Sequence, residues 1–207
     1  MTRGRFIALE GGEGVGKSTQ VRALAAALRT RGLDVVETRE PGGSEGAEAI
    51  RRLLLEGPAD RWTGGAEALL FAAARADHVA KTILPALEAG KWVITDRFLD
   101  SSLAYQGGAD GVSIERLKLL HEVGSAGLLP DRTLLLTLPA EEAARRAEAR
   151  DRGDSDRIGG RDAGYHARVA DSFAALAKAE PARFRLVDAQ GEAEQVTARL
   201  IAALAGL

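Results

Sequence analysis

The segment Gly11-Gly12-Glu13-Gly14-Val15-Gly16-Lys17-Ser18 constrains this chain more than any other stretch. It follows the short apolar run Phe6-Ile7-Ala8-Leu9, which has the form of a strand buried on both faces. It precedes a helical pattern with Val21, Leu24, Ala25 and Leu28 on one face, closed by Gly32. In such a strand–turn–helix unit, glycines let successive backbone N–H groups turn inward around an anion without a Cβ clash. The helix N-terminus adds unsatisfied donors and a partial positive charge. Gly11-x4-Gly16-Lys17-Ser18 matches the phosphate-binding P-loop spacing completely. Lys17 then supplies a mobile cation for the β- and γ-phosphates, and Ser18 a hydroxyl for Mg²⁺. Gly11, Gly12, Glu13, Gly14, Val15, Gly16, Lys17, Ser18 and Thr19 are therefore expected to bind a nucleoside triphosphate.

Strand and helix patterns alternate through the rest of the chain. Strands are expected at 33–38, 92–96, 133–138 and 183–188, and helices at about 47–56, 65–89, from Pro139 onward, and 191–205. Pro85 predicts a kink or break within 65–89. This order predicts a five-stranded parallel sheet covered by helices on both faces. Residues 151–162 are polar, Gly-rich and aperiodic, the profile of a mobile loop. At 207 residues the chain suits one domain, 1–207, with that segment (about 150–162) inside it.

Composition removes several function classes. Zero Cys excludes disulfides, thiol catalysis and thiolate metal sites, and three scattered His do not suggest a His-built zinc site. A net charge of −2 argues against a broad nucleic-acid footprint. No apolar run approaches the ~18–20 residues of a membrane span, and Glu10 arrives too early for a signal-peptide core. A soluble cytoplasmic chain is the expectation.

Asp96 ends an apolar strand, where a carboxylate can orient Mg²⁺ through water, and Arg97 follows it. No guanine-reading Asn-Lys-x-Asp is present, and the downstream glycine spacing of a dinucleotide site is missing. The length favours a small ATP-dependent kinase. Glu10 to Gln20, Thr38-Arg39-Glu40-Pro41-Gly42-Gly43, Asp96-Arg97-Phe98, Ser101-Ser102-Leu103-Ala104-Tyr105-Gln106-Gly107 and Asp156-Arg157-Ile158 then resemble, in order and spacing, the bacterial thymidylate kinases. The resemblance spans nearly the whole chain. It implies a three-layer α/β/α nucleoside monophosphate kinase fold with a mobile lid, acting as a homodimer. It also implies Mg²⁺-dependent transfer of the ATP γ-phosphoryl group to dTMP, giving dTDP and ADP for dTTP biosynthesis. The alternatives are another nucleoside monophosphate acceptor, with dUMP nearest, or a non-catalytic ATP-binding regulatory protein. The intact Lys17, Asp96 and Arg97 argue against the latter.

Phe71 and Arg75 lie four apart on a helix and share a face. An aromatic ring can stack on a base while a guanidinium, which only donates, suits thymine O4 and opposes the amino group of cytosine. The resemblance adds Tyr105 and Gln106 closing on the nucleoside, with Ser101 and Ser102 nearby. It assigns Arg51 to the acceptor phosphate and Glu13 to the 3′-hydroxyl or a magnesium-linked water. Arg97 is expected to bridge acceptor and γ-phosphate. Gly14 stands where one branch of the family carries a catalytic arginine; here the arginine is expected from the lid, as Arg150, Arg152 or Arg157. Gly159 departs from the Glu that many relatives carry after Asp-Arg-Ile.

Overall fold

Alternate residues of the first strand, β1 (Phe6–Glu10), enter two different cores. Ile7 and Leu9 pack with Leu24, Ile94 and Leu134 on one side, and Phe6 and Ala8 with Ile83, Leu87 and Phe98 on the other. Each large apolar side chain removed from water in this way contributes about 1.5–3 kcal/mol, so a strand buried on both faces fits only the middle of a sheet. The structure, a computed structural model, describes residues 3–151 and 156–207. Among these, β2 (Val35–Arg39), β3 (Trp92–Asp96), β4 (Arg132–Thr137) and β5 (Phe184–Asp188) complete a five-stranded parallel sheet in the order β2-β3-β1-β4-β5. The expected strands hold to within two residues at either end. The order reverses direction beside β1, so the carboxyl ends of β1 and β3 open a crevice where ligands of such sheets bind.

Helix α1 (Lys17–Arg29) and a C-terminal helix cover one face of the sheet. Helices α2 (Glu45–Leu55) and α3 (Gly64–His78) follow β2, with side-chain caps from Ser44 and Thr63. The break expected at Pro85 falls earlier in the chain. A π-helical turn spans Val79–Ile83, with Leu84 N–H donating to Val79 O, and α4 (Leu84–Glu88) carries Pro85 in its first turn. Proline lacks an N–H and crowds the carbonyl four residues back, so the ladder widens before the ring rather than at it.

Past β3, α5 (Leu99–Ser102) runs into a second π-helical segment, Leu103–Ala109. Then come α6 (Ile114–Ser125), α7 (Ala140–Asp151), α8 (Ala163–Ala179) and α9 (Ala193–Ala203), the last covering the α1 face. Helix α8 presses on the π segment: a Cβ on Gly108 would lie 1.7 Å from Ser172 Oγ, so only glycine fits there. Residues 152–155 of the expected mobile loop, Arg152 among them, lie outside the described residues. The adjoining stretch is not a solvated loop, because Arg157 and Ile158 are buried.

Candidate active site

The loop between β1 and α1 curls as the glycine spacing requires, with φ of +138°, +73° and +88° at Gly11, Gly14 and Gly16. Lys17 folds back over it, donating from Nζ to Gly12 O at 2.6 Å and Gly11 O at 3.1 Å. Burial, and next to it the Arg97 charge, brings its ammonium pKa down to about 8. Ser18 Oγ donates to Asp96 Oδ2 at 2.5 Å, joining the start of α1 to the end of β3. A hydroxyl beside one carboxylate is the oxygen donor set that Mg²⁺ accepts when phosphate and water complete its shell. No larger cluster of His, Cys, Asp or Glu able to hold a metal occurs among the described residues, so Ser18 and Asp96 are the fitting pair. A Cβ on Gly14 would meet Ala143 O at 2.0 Å. Helix α7 thus rides directly on the loop, and no arginine could stand at position 14 without moving it.

Arg97 is the hub. Its backbone has φ +68°, a conformation costing a non-glycine residue about 1–3 kcal/mol. Thr95 Oγ1 donates to its carbonyl at 2.8 Å, and the next N–H, of Phe98, donates to Glu10 Oε1 at 2.8 Å. Held in this way, its guanidinium donates to Gly11 O at 2.9 Å, Ser101 Oγ at 3.1 Å, Tyr105 OH at 3.0 Å and the Glu13 carboxylate. Arg150, from the end of α7, reaches the other Glu13 oxygen at 3.3 Å. Burial alone would raise the Glu13 pKa, but Arg97, Lys17 and Arg150 outweigh it and hold the carboxyl well below its ordinary range.

Opposite the phosphate loop, the same cleft of about 640 Å³ is lined by Arg51, Phe71, Ser101, Ser102, Tyr105 and Gln106. Arg51 donates to Pro41 O at 2.6 Å. Phe71 is half-buried and presents its ring to the cleft, whereas Arg75 lies one layer beneath and is not part of the lining. Arg75 donates to Glu40 Oε2 at 2.8 Å and Ser102 Oγ at 2.8 Å. Because Ser102 Oγ accepts from Arg75, its own proton is free to point into the cleft. The structure brings Arg150 but not Arg157 to the phosphate loop. Arg157 is buried, donating to Leu54 O at 2.8 Å, Ala59 O at 3.2 Å and the Glu67 carboxylate.

Four buried carboxylates had no role in the sequence reading, among them Asp100, which pairs with Arg183. Glu10 accepts from Phe98 N–H, Ser101 N–H and Ser101 Oγ, and burial with Asp100 nearby pushes its pKa up to about 7. Glu40 pairs with Arg75 and His78 Nδ1. Glu67 holds Arg157, Arg161 and Gln106. Glu67 did leave a signal: it stands four residues before Phe71 and eight before Arg75, on the same helical face.

A phosphate loop, a hydroxyl–carboxylate pair and a second subsite facing them across one arginine define a P-loop phosphotransferase of the small nucleotide-kinase class. The family model described as "Thymidylate kinase" matches residues 9–200. A thymidylate kinase of Rhizorhabdus wittichii is 70% identical over 204 residues, covering 99% of this chain and 98% of that one. One from Caulobacter vibrioides is 47% identical over 200 residues, with 97% and 95% covered. The solved structure of a thymidylate kinase from Ehrlichia chaffeensis superposes with a TM-score of 0.78 at 31% identity, covering 98% and 99%. The chain belongs to the thymidylate kinase family.

Proposed function

We infer that this chain transfers the γ-phosphoryl group of ATP to dTMP, giving dTDP and ADP. The observation that carries this reading is the single cleft in which the Lys17 loop faces Phe71, Ser102 and Gln106 with Arg97 between them. The acceptor phosphate oxygen is already a competent nucleophile, so the protein's work is alignment and charge neutralisation. Gly11 to Thr19 hold the ATP phosphates, with Lys17 on the β/γ pair. Mg²⁺, held by Ser18 and Asp96, supplies further neutralisation of the polyphosphate when bound. Arg51 holds the dTMP phosphate, Tyr105 packs on the deoxyribose, and Ser101 completes the polar wall. Phe71 stacks on the base. The Ser102 hydroxyl, oriented by Arg75 beneath it, offers a donor to the thymine carbonyl, and Gln106 Oε1 offers an acceptor to N3–H.

Glu13 has two tasks in this scheme. Before substrate arrives it keeps Arg97 and Arg150 in place. When two anionic phosphates enter, both arginines exchange it for phosphate oxygens, freeing the carboxylate for the 3′-hydroxyl or a metal-bound water. Arg157, with its guanidinium committed to Glu67, is better suited to anchoring the lid than to catalysis, and Arg150 takes the catalytic lid role. We further propose that 1–207 acts as one kinase domain with a lid near 150–162, in the cytoplasm, as a homodimer. No helix among the described residues is long and apolar enough to cross a membrane. Exposed Leu69, Leu119 and Val123 on α3 and α6 supply apolar surface for a second copy, and light scattering on the purified chain tests that state.

ADP release with Mg·ATP and dTMP, dUMP, dCMP or no acceptor tests the function. Turnover with dTMP, slower turnover with dUMP and none with dCMP is expected; equal release without acceptor would make the chain an ATPase. The Lys17 environment adds a pH prediction. Polyphosphate favours the ammonium, so ATP binding above pH 8 must take up a proton. ATP affinity is therefore expected to fall about tenfold per pH unit above 8. Calorimetry in buffers of different ionisation enthalpy measures both quantities. An affinity flat from pH 7 to 9.5 would mean that Lys17 is already charged in the free protein.

A further inference from the structure

Glu67, in the first turn of α3, is fully buried and divides its two oxygens between different parts of the site. Oε1 accepts from Gln106 Nε2 at 2.8 Å. Oε2 accepts from Arg157 Nη2 and, at 3.1 Å, from Arg161 Nη2. Arg161 continues to Asp110 Oδ1 at 2.5 Å, and Asp110 Oδ2 accepts from Tyr165 OH at 3.3 Å. Arg157 also ties its backbone to the end of α2, its N–H donating to Leu55 O at 3.2 Å. The C-terminal part of the lid segment is thus fastened to the helix that carries Phe71 and Arg75.

The Gln106 end has a chemical consequence. A carboxylate facing two guanidinium groups only accepts hydrogen bonds, so the Gln106 group turned toward it must be the amino end. The amide cannot flip, and Oε1 is left on the other side. Gln106 is 1% exposed and lines the cleft, and its Oε1 has no hydrogen-bond partner among the described residues. A buried unpaired acceptor carries a desolvation cost that a ligand donor relieves. Thymine and uracil place an N–H donor at ring position 3, whereas cytosine places an acceptor there.

We propose that Glu67 is a positioning residue that makes the base subsite an acceptor for a ring N–H and couples that subsite to the root of the lid. This rests on the dTMP reading above and adds a residue that touches neither substrate. Dissociation constants for dTMP and dCMP are to be measured on wild type, Glu67→Gln, Gln106→Ala and the double variant. A Gln at 67 can donate as well as accept, which frees the Gln106 amide to flip. Glu67→Gln is expected to reduce the preference for dTMP over dCMP at least tenfold, and that effect is expected to vanish in the Gln106→Ala background. Hydrogen exchange at 156–161 is expected to quicken in Glu67→Gln and stay unchanged in Gln106→Ala. An unchanged base preference in folded Glu67→Gln overturns the positioning role, and unchanged exchange overturns the coupling. Should that variant not fold, the side-chain amide protons of Gln106 in the wild-type protein decide. Slow exchange without ligand supports the proposal, and exchange as fast as that of an exposed glutamine overturns it. Wild type that binds dTMP no better than dCMP would instead overturn the substrate reading, a result separable from the exchange data.

Discussion

Replacing Arg97 by methionine is expected to lower kcat about a thousandfold while changing either KM only a few-fold, because an arginine placed between transferring phosphates contributes on that scale. Its guanidinium spans the gap between the phosphate loop, at Gly11 O, and the acceptor wall, at Ser101 and Tyr105. The protein holds its backbone at φ +68° to put it there. A methionine keeps much of the volume and loses every donor. Arg97→Lys keeps the charge but not the planar fork, and is expected to recover no more than about a tenth of the lost rate. Steady-state kinetics with both substrates varied measures this. A kcat within tenfold of wild type in Arg97→Met would remove Arg97 from between the two phosphates and leave it a clamp for Glu13.

The second large effect is at Arg75, where stability and recognition separate. Arg75 and Glu40 form an ion pair with both side chains only 4% exposed. Removing one member of a buried pair costs about 3–5 kcal/mol, chiefly because the other is left uncompensated. His78 Nδ1, 3.0 Å from Glu40 Oε1, leaves Glu40 one partner, which puts Arg75→Met at the lower end. The same change takes the donor from beneath Ser102, and kcat/KM for dTMP is expected to fall about a hundredfold. Arg75→Lys can still neutralise Glu40 but cannot reach both Glu40 and Ser102. It should regain roughly half of the stability and little of the kcat/KM. Thermal unfolding and dTMP kinetics on the two variants give the answer. If Arg75→Met is unstable yet uses dTMP as well as wild type, Arg75 is structural and the base is read by other groups.

How much of this was legible beforehand follows from how local each determinant is. The phosphate loop is nearly self-contained, since glycine spacing, lysine and hydroxyl act within nine residues and owe their geometry to the strand and helix beside them. β1 was equally readable, because a run of four apolar residues ahead of a glycine-rich turn has the form of a strand covered on both faces. The region from Leu99 to Ala109 was not. No element was expected there, yet the chain is helical, with Gly108 required by the approach of Ser172. Likewise Pro85 announced a break but not its place, which the π turn before it absorbs.

The arginines divide along the same line. The sequence by itself determined the class of chemistry and the glycine-rich phosphate loop, because these rest on short-range spacing, whereas most of the expected acceptor residues came from the family resemblance. Only the tertiary structure decided which arginine goes where. Arg150 reaches Glu13 because α7 lies against Gly14, and Arg157, seven residues later, turns inward to Glu67. Both are guanidiniums in one polar stretch, alike in composition and in local pattern. What separates them is a buried carboxylate ninety residues away in sequence, a contact set by the packing of α3 against the segment after α7.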